Sequence, residues 1–252
     1  MKRSRPTGHV LRGQDPEVAY GKVCGAGPAN RSLVLLHGLG ARWQVFQPLM
    51  IQLGDGFEQY APDLRGHGTS ARAPGRYSVR DFAADTARFI VATGQAPVSL
   101  YGHSLGGWIA LMTAAEHPDL VNALIVADSA IYPEDLDPDL VVSYLADLPI
   151  ALRSLAKSLD QLDPEVMTHF RDGRMLSGYE PDELLPRISC PVLLIQGDPS
   201  RGALMRDTDV KSAMRLLPGA RHVFMPGIGH ALHAEDAGLV ANQIRSFLEI
   251  GP

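Results

Sequence analysis

The stretch that most constrains this chain is Val98-Ser99-Leu100-Tyr101-Gly102-His103-Ser104-Leu105-Gly106-Gly107-Trp108-Ile109-Ala110. A β-rich apolar run leads into Gly-x-Ser-x-Gly, and at once into helical spacing that continues to about His117, where Pro118 stops it. The pattern reads as strand, sharp turn, helix. A serine at such a turn has its hydroxyl lifted above a sheet, because Gly102 and Gly106 keep Cβ atoms away from neighbouring backbone. The start of the helix adds N–H groups and a positive dipole end. Ser104 is the candidate nucleophile, but a Gly-rich turn can contain a serine without chemistry. The rest of the chain has to supply its partners.

The order of elements on either side fits a sheet that could carry such a turn. Residues 8 to 24 alternate around Gly13-Gln14-Asp15-Pro16, which predicts an antiparallel hairpin. Ser32 to Leu36 is a continuous apolar run, as in a strand buried on both faces, and it ends in His37-Gly38-Leu39-Gly40. A short helix is predicted over 44–52, a strand end at 59–63, a helix over 78–93 and a core strand over 123–127 that ends on Asp128. From Ile131 to about Arg187 the alternation lapses into helical pieces broken by prolines. Strands resume at 191–195 and 221–225, and an amphipathic helix over 238–248 closes the chain. The fold class is therefore α/β, a mostly parallel sheet with helices on both faces. Its core spans 1–130 and 188–252, with a helical cap over 131–187, between strands 6 and 7.

Composition agrees with one such domain plus an insertion: 252 residues, 45% hydrophobic and 20% charged. The net charge of −5 and the scattered basic residues exclude a nucleic-acid stripe. Met1 to Pro6 is basic but no apolar run follows, and no membrane span is present. A soluble, cytoplasmic protein is expected, monomer or homodimer, without a nucleic-acid or membrane partner. Cys24 and Cys190 are far apart and lack metal-ligand spacing, so reduced thiols are expected.

Four motifs in order, His37-Gly38-Leu39-Gly40, Pro62 to Ser70 (PDLRGHGTS), Gly102 to Gly107 and Gly227-Ile228-Gly229-His230, resemble the α/β-hydrolase superfamily, over about residues 18 to 249. The resemblance implies the fold and the nucleophile and says little about the substrate.

A serine hydroxyl needs a histidine to take its proton and a buried carboxylate to orient that histidine. Of nine histidines, His230 follows a strand in a Gly-rich loop and occupies the position of the family's catalytic histidine. His233 reads as a surface or supporting group. His37 and His103 read as hydrogen-bonded turn residues, and His67 has no chemical role. Most relatives carry the acid three residues after a Gly at the end of the seventh strand, where this chain has Ser200. Gly197 to Leu204 instead resembles the acidic turns of haloalkane dehalogenases and a coelenterazine luciferase, many of which take the acid from the end of the sixth strand. Asp128 stands there and is favoured, with Asp198 as the alternative.

The N–H groups of Leu105 and Leu39 are the expected oxyanion donors. A serine excludes the alkyl-halide chemistry that needs a carboxylate nucleophile. Trp43, Tyr132, Tyr144, Met167 and Phe170 are the expected pocket residues, and their apolar character favours a small to medium ester or lactone. Arg42 reads as an exposed loop arginine, with a carboxylate-binding role as the alternative. Hydrolysis of a carbon–carbon bond, a cofactor-free perhydrolase and a slow-turnover ligand receptor are the competing functions. No metal or organic cofactor is implied.

Overall fold

The computed structural model describes residues 5–26, 31–139, 141 and 159–249. Its strands are β1 (Thr7–Leu11), β2 (Val18–Val23), β3 (Ser32–Leu36), β4 (Glu58–Pro62), β5 (Val98–His103), β6 (Val121–Ala127), β7 (Val192–Gln196) and β8 (Arg221–Phe224). Among the described residues these form one eight-stranded sheet in the order β1-β2-β4-β3-β5-β6-β7-β8. β1, β2 and β4 pair antiparallel, and every pairing from β4 to β8 is parallel. All five residues of β3 are buried, as expected of a central strand covered on both faces.

The helices are α1 (Gln47–Leu53), α2 (Val79–Thr93), α3 (Leu105–Glu116), α4 (Pro164–Arg171), α5 (Pro181–Leu184), α6 (Asp207–Leu216), α7 (Leu232–Glu235) and α8 (Ala237–Glu249). α2 starts where Ser78 and Asp81 cap one another's backbone N–H groups and ends at Gly94, whose φ of 67° a glycine adopts freely. Its Val79, Phe82, Ala83, Thr86, Phe89 and Ile90 form the buried stripe. α3 is buried from Leu105 to Ala115 because it lies against β5, β6 and α2 at once. α6 has no counterpart in the sequence reading. No described helix is long and apolar enough to cross a membrane, and Cys24 and Cys190 are free thiols.

Two apolar layers flank the sheet. One joins α2 and α3 to Leu162, Val166, Phe170, Met175 and Tyr179 of the segment between β6 and β7. The other joins α1 and α8 to Trp43, Phe46 and Tyr101. The described part of the inserted segment includes α4, α5 and single 3-10 turns. It is tied to the core by Asp163, whose N–H donates to the Gly66 carbonyl (2.7 Å) and whose carboxylate accepts from the Tyr77 hydroxyl (2.7 Å).

The turn between β5 and α3 works only with glycines at two places. A Cβ on Gly102 would lie 2.1 Å from the Gly106 carbonyl oxygen, and one on Gly106 would lie 2.1 Å from the Leu36 carbonyl oxygen. Both neighbours are main chain and cannot swing away. Gly102→Ala should therefore cost about 3 kcal/mol or more, read as a lower urea midpoint. A midpoint equal to that of the native chain would contradict this packing.

Candidate active site

Ser104 stands between β5 and α3 at φ 55° and ψ −122°, a conformation that non-glycine residues avoid. The elbow is held by its neighbours. Its N–H donates to the Ala127 carbonyl (3.2 Å), and its own carbonyl accepts from Gly107 N–H (2.8 Å) and the Ser129 hydroxyl (2.9 Å). The turn after β3 runs alongside, since a Cβ on Gly38 would lie 3.1 Å from Ser104 Cβ and 3.5 Å from its Oγ. His37 fixes that turn: Leu64 N–H donates to its Nε2 (3.1 Å), so Nδ1 carries the proton and donates to the Gly38 carbonyl (2.8 Å). Leu39 and Leu105 both face the pocket beside Ser104.

Asp128 follows β6 at φ 41° and is fully buried. Its Oδ1 accepts from the N–H groups of Gly197 and Met205 (3.2 Å each), and its Oδ2 from Leu204 N–H (2.8 Å) and His230 Nδ1 (2.7 Å). The loops after β7 and β8 thus meet on one carboxylate. With Nδ1–H donating to Asp128, a neutral His230 presents a lone pair at Nε2. Asp198 is placed differently. It is half-buried and accepts from Ser200 N–H (2.9 Å), the Ser200 hydroxyl (2.6 Å) and Gly227 N–H (2.9 Å). The Ser200 hydroxyl and then Gly227 hold its carboxyl below the usual range. It staples its own turn to the loop before His230.

A pocket opens at Ser104 and is lined by Leu39, Leu105, Trp108, Phe170, Met175 and Leu204, among others. None of its described lining residues is charged. The Trp108 ring is held there by its Nε1–H on the Ala130 carbonyl (2.7 Å).

Three expected pocket residues lie elsewhere. Trp43 N–H is drawn to Asp63 Oδ1 (2.7 Å) and its ring lies across β2, where a Cβ on Gly21 would be 2.2 Å from Cε3; both Trp43 and Phe46 belong to the opposite apolar layer. Tyr132 donates its hydroxyl to Asp182 (2.8 Å) and its carbonyl accepts from Arg206 (2.7 Å). On α4 the buried positions are Val166, His169 and Phe170, and Met167, one residue round from Val166, does not reach the pocket lining. Tyr144 lies outside the described residues. Trp108, Leu136, Val141 and Leu204 line the pocket without having been singled out for it. Trp108 was open to inference, since it stands four residues after Ser104 on the elbow helix. Arg42 is half-buried and donates to Gln161 Oε1 (2.9 Å), which ties the loop after β3 to the inserted segment.

Five histidines gather near Ser104. His233, expected at the surface or in support, is buried, with its ring 4.6 Å from that of His103. His67 lies 5.1 Å from His37, and no described group of three or more His, Cys, Asp or Glu is placed to hold a metal ion.

Burial lowers the pKa of four of these imidazoles: His67 to about 4, His103 to about 3, and His37 and His233 well below the ordinary value. An unfolded histidine titrates near ~6.5. Between the folded and unfolded values the unfolded chain binds more protons, so stability rises with pH across that window. It is fully present above about 6.5 and is lost as pH falls towards 4 and 3. Asp63 works in the opposite sense, because burial raises its carboxyl to about 6, but one carboxylate offsets only one histidine. Each uncompensated histidine contributes up to about 1.4 kcal/mol per pH unit. Urea titrations should give clearly lower stability at about pH 5.5 than at about pH 7.5. A flat profile would mean that these rings are not held neutral.

Comparison with known proteins places the fold. A family model described as the alpha/beta hydrolase fold matches residues 31–172. The chain is 27% identical to 2-(acetamidomethylene)succinate hydrolase of Mesorhizobium japonicum, over 89% of each chain. It is 32% identical to the pimeloyl-(acyl-carrier protein) methyl ester esterase of Neisseria meningitidis, over 88% of this chain and 95% of the relative. The crystal structure of a membrane phospholipase A, a bacterial virulence factor, superposes with a TM-score of 0.80 at 26% identity, over 97% of this chain and 86% of that one. Its sheet, its strained serine elbow and these full-length relatives agree that the chain is a hydrolase and belongs to the α/β-hydrolase family.

Proposed function

We propose that this hydrolase cleaves a carboxylic ester or lactone of a small to medium, largely apolar compound through an acyl-enzyme on Ser104. The observation that carries the reading is the 2.7 Å bond from His230 Nδ1 to buried Asp128, on a loop beside a serine whose backbone is forced into a left-handed turn.

In this reading His230 Nε2 takes the Ser104 proton as Oγ attacks the acyl carbon, and Asp128 keeps the imidazole in the required tautomer and stabilises its cation. The N–H groups of Leu105 and Leu39 stabilise the oxyanion of the tetrahedral intermediate. The imidazolium then protonates the leaving alcohol, and a water activated by His230 releases the acid. The uncharged, largely apolar lining of the pocket supports an apolar acyl group. The esterase relative is named for a methyl ester, which supports the same bond class. The inserted segment between β6 and β7 serves as the cap over that pocket.

Steady turnover of p-nitrophenyl acetate and butyrate tests the reading, and a burst followed by no turnover would instead favour a slow receptor. Ser104→Ala should stay folded and lose at least ~10³-fold in activity; a folded variant above a tenth of native activity would remove Ser104 from its role. Asp128→Asn should lose about 10²- to 10⁴-fold, since the amide favours the wrong imidazole tautomer. Asp198→Asn should cost little beyond its turn. The reverse ranking would move the acid to Asp198.

A further inference from the structure

The residue before the proposed nucleophile makes a contact that triad chemistry does not use. His103 closes β5, is 8% exposed, and its Nε2 lies 2.8 Å from the backbone carbonyl of His230. A carbonyl can only accept, so Nε2 carries the proton and donates. That bond joins positions 127 residues apart in sequence, and it joins the two segments whose relative placement sets the distance from hydroxyl to imidazole. The His103 ring lies 4.7 Å from the His230 ring at an interplanar angle of 36°, and meets the His233 ring edge-on at 4.6 Å. Aromatic contacts therefore fix its orientation from two directions.

The Asp128 bond acts at Nδ1 of the His230 ring, and where that ring stands also depends on the main chain that carries it. The segment leading to His230 is secured at Gly227 by Asp198, at Ile228 by its carbonyl on Asp198 N–H (2.6 Å), and at Gly229 by Glu235 (3.1 Å). The carbonyl of His230 itself is gripped by His103. We propose that His103 is a positioning residue: its Nε2–H bond to the His230 carbonyl sets where the base stands over Ser104, while Asp128 sets which way the ring faces. The proposal rests on the reading of Ser104 and His230 as nucleophile and base.

The test compares His103→Phe, which keeps a ring but has no donor, with His103→Gln, whose amide N–H can reach the same carbonyl. On p-nitrophenyl butyrate, His103→Phe should lose about 10- to 100-fold in kcat, since small misplacements of reacting groups cost that much, with KM little changed. His103→Gln should recover most of the loss. A merely structural role would lower the melting temperature of both variants without that split. A second reading needs no substrate: the downfield proton of the His230 Nδ1–H bond, observed in histidine-labelled protein, should shift or broaden in His103→Phe and persist in His103→Gln. If Phe does not fold, His103→Met serves as the variant without a donor. Native kcat and an unchanged Nδ1 proton in a folded donor-free variant, or equal losses in the donor-free and Gln variants, would overturn the proposal. Absence of ester turnover in the native chain would instead overturn the ester reading, and the proton would then decide the role of His103 without it.

Discussion

Two residues in left-handed backbone hold the site together, Ser104 at φ 55° and Asp128 at φ 41°. Each such conformation costs on the order of 1–3 kcal/mol and persists only where its surroundings over-determine it. Here those surroundings are the sheet itself. His103 pairs with Ala127 across β5 and β6, so Ser104 and Asp128 are the next residues out from a matched pair, leaving the same end of adjacent parallel strands. Ser104 N–H is caught by Ala127, Asp128 N–H by the Ile195 carbonyl (2.8 Å), and the turn beyond Ser104 is pressed against β3 at distances only glycine permits. Because all parallel strands end at one edge, the loops after β3, β7 and β8 also arrive there. The site is a property of that edge.

Burial then does two things with one cause. Removing water from this edge lowers the pKa of the His37, His67, His103 and His233 imidazoles, chiefly by desolvation. Neutral rings can act as oriented hydrogen-bond donors and acceptors, as His37 does between Leu64 and Gly38. Four cations packed at these distances would repel one another, so the same packing is incompatible with acid conditions. The cluster acts as a rigid polar scaffold only while it carries no charge.

Much of the fold was legible because its signals are local. The all-apolar run of β3, the capped stripe of α2 and the glycine spacing of the elbow each specify one conformation. α6 is not legible from spacing although Val210 and Ala213 give it a buried face, because its start follows closely on the irregular turn from Gly197 to Leu204. Asp128 could be placed at a strand end, but its contact with His230 depends on the loops after β7 and β8 folding onto one carboxylate, which no spacing encodes. Pocket residues were least legible. Trp43 follows the right turn, yet a single hydrogen bond from its N–H to Asp63 accompanies a ring that lies on the other face of the sheet. Met167 and Phe170 share a helix, and only a knowledge of which face α4 buries separates them.

That difference in legibility follows how the work is divided in the structure. Ser104, His230 and Asp128 are held by strand ends and main-chain bonds, which tolerate few changes, and the motifs of Ser104 and His230 are correspondingly sharp. Phe170 and Met175 come from the inserted segment, which is tied to the core through Asp163 to Gly66 and Tyr77 and through Gln161 to Arg42. Those anchors lie outside the described pocket lining, so the wall facing Ser104 can vary in side-chain size without disturbing the strained edge beneath it. The same edge can thus serve different substrates by substitution within the insertion. Shared chemistry across the family accordingly says less about the substrate of this chain than the residues of α4 and the turn that follows it.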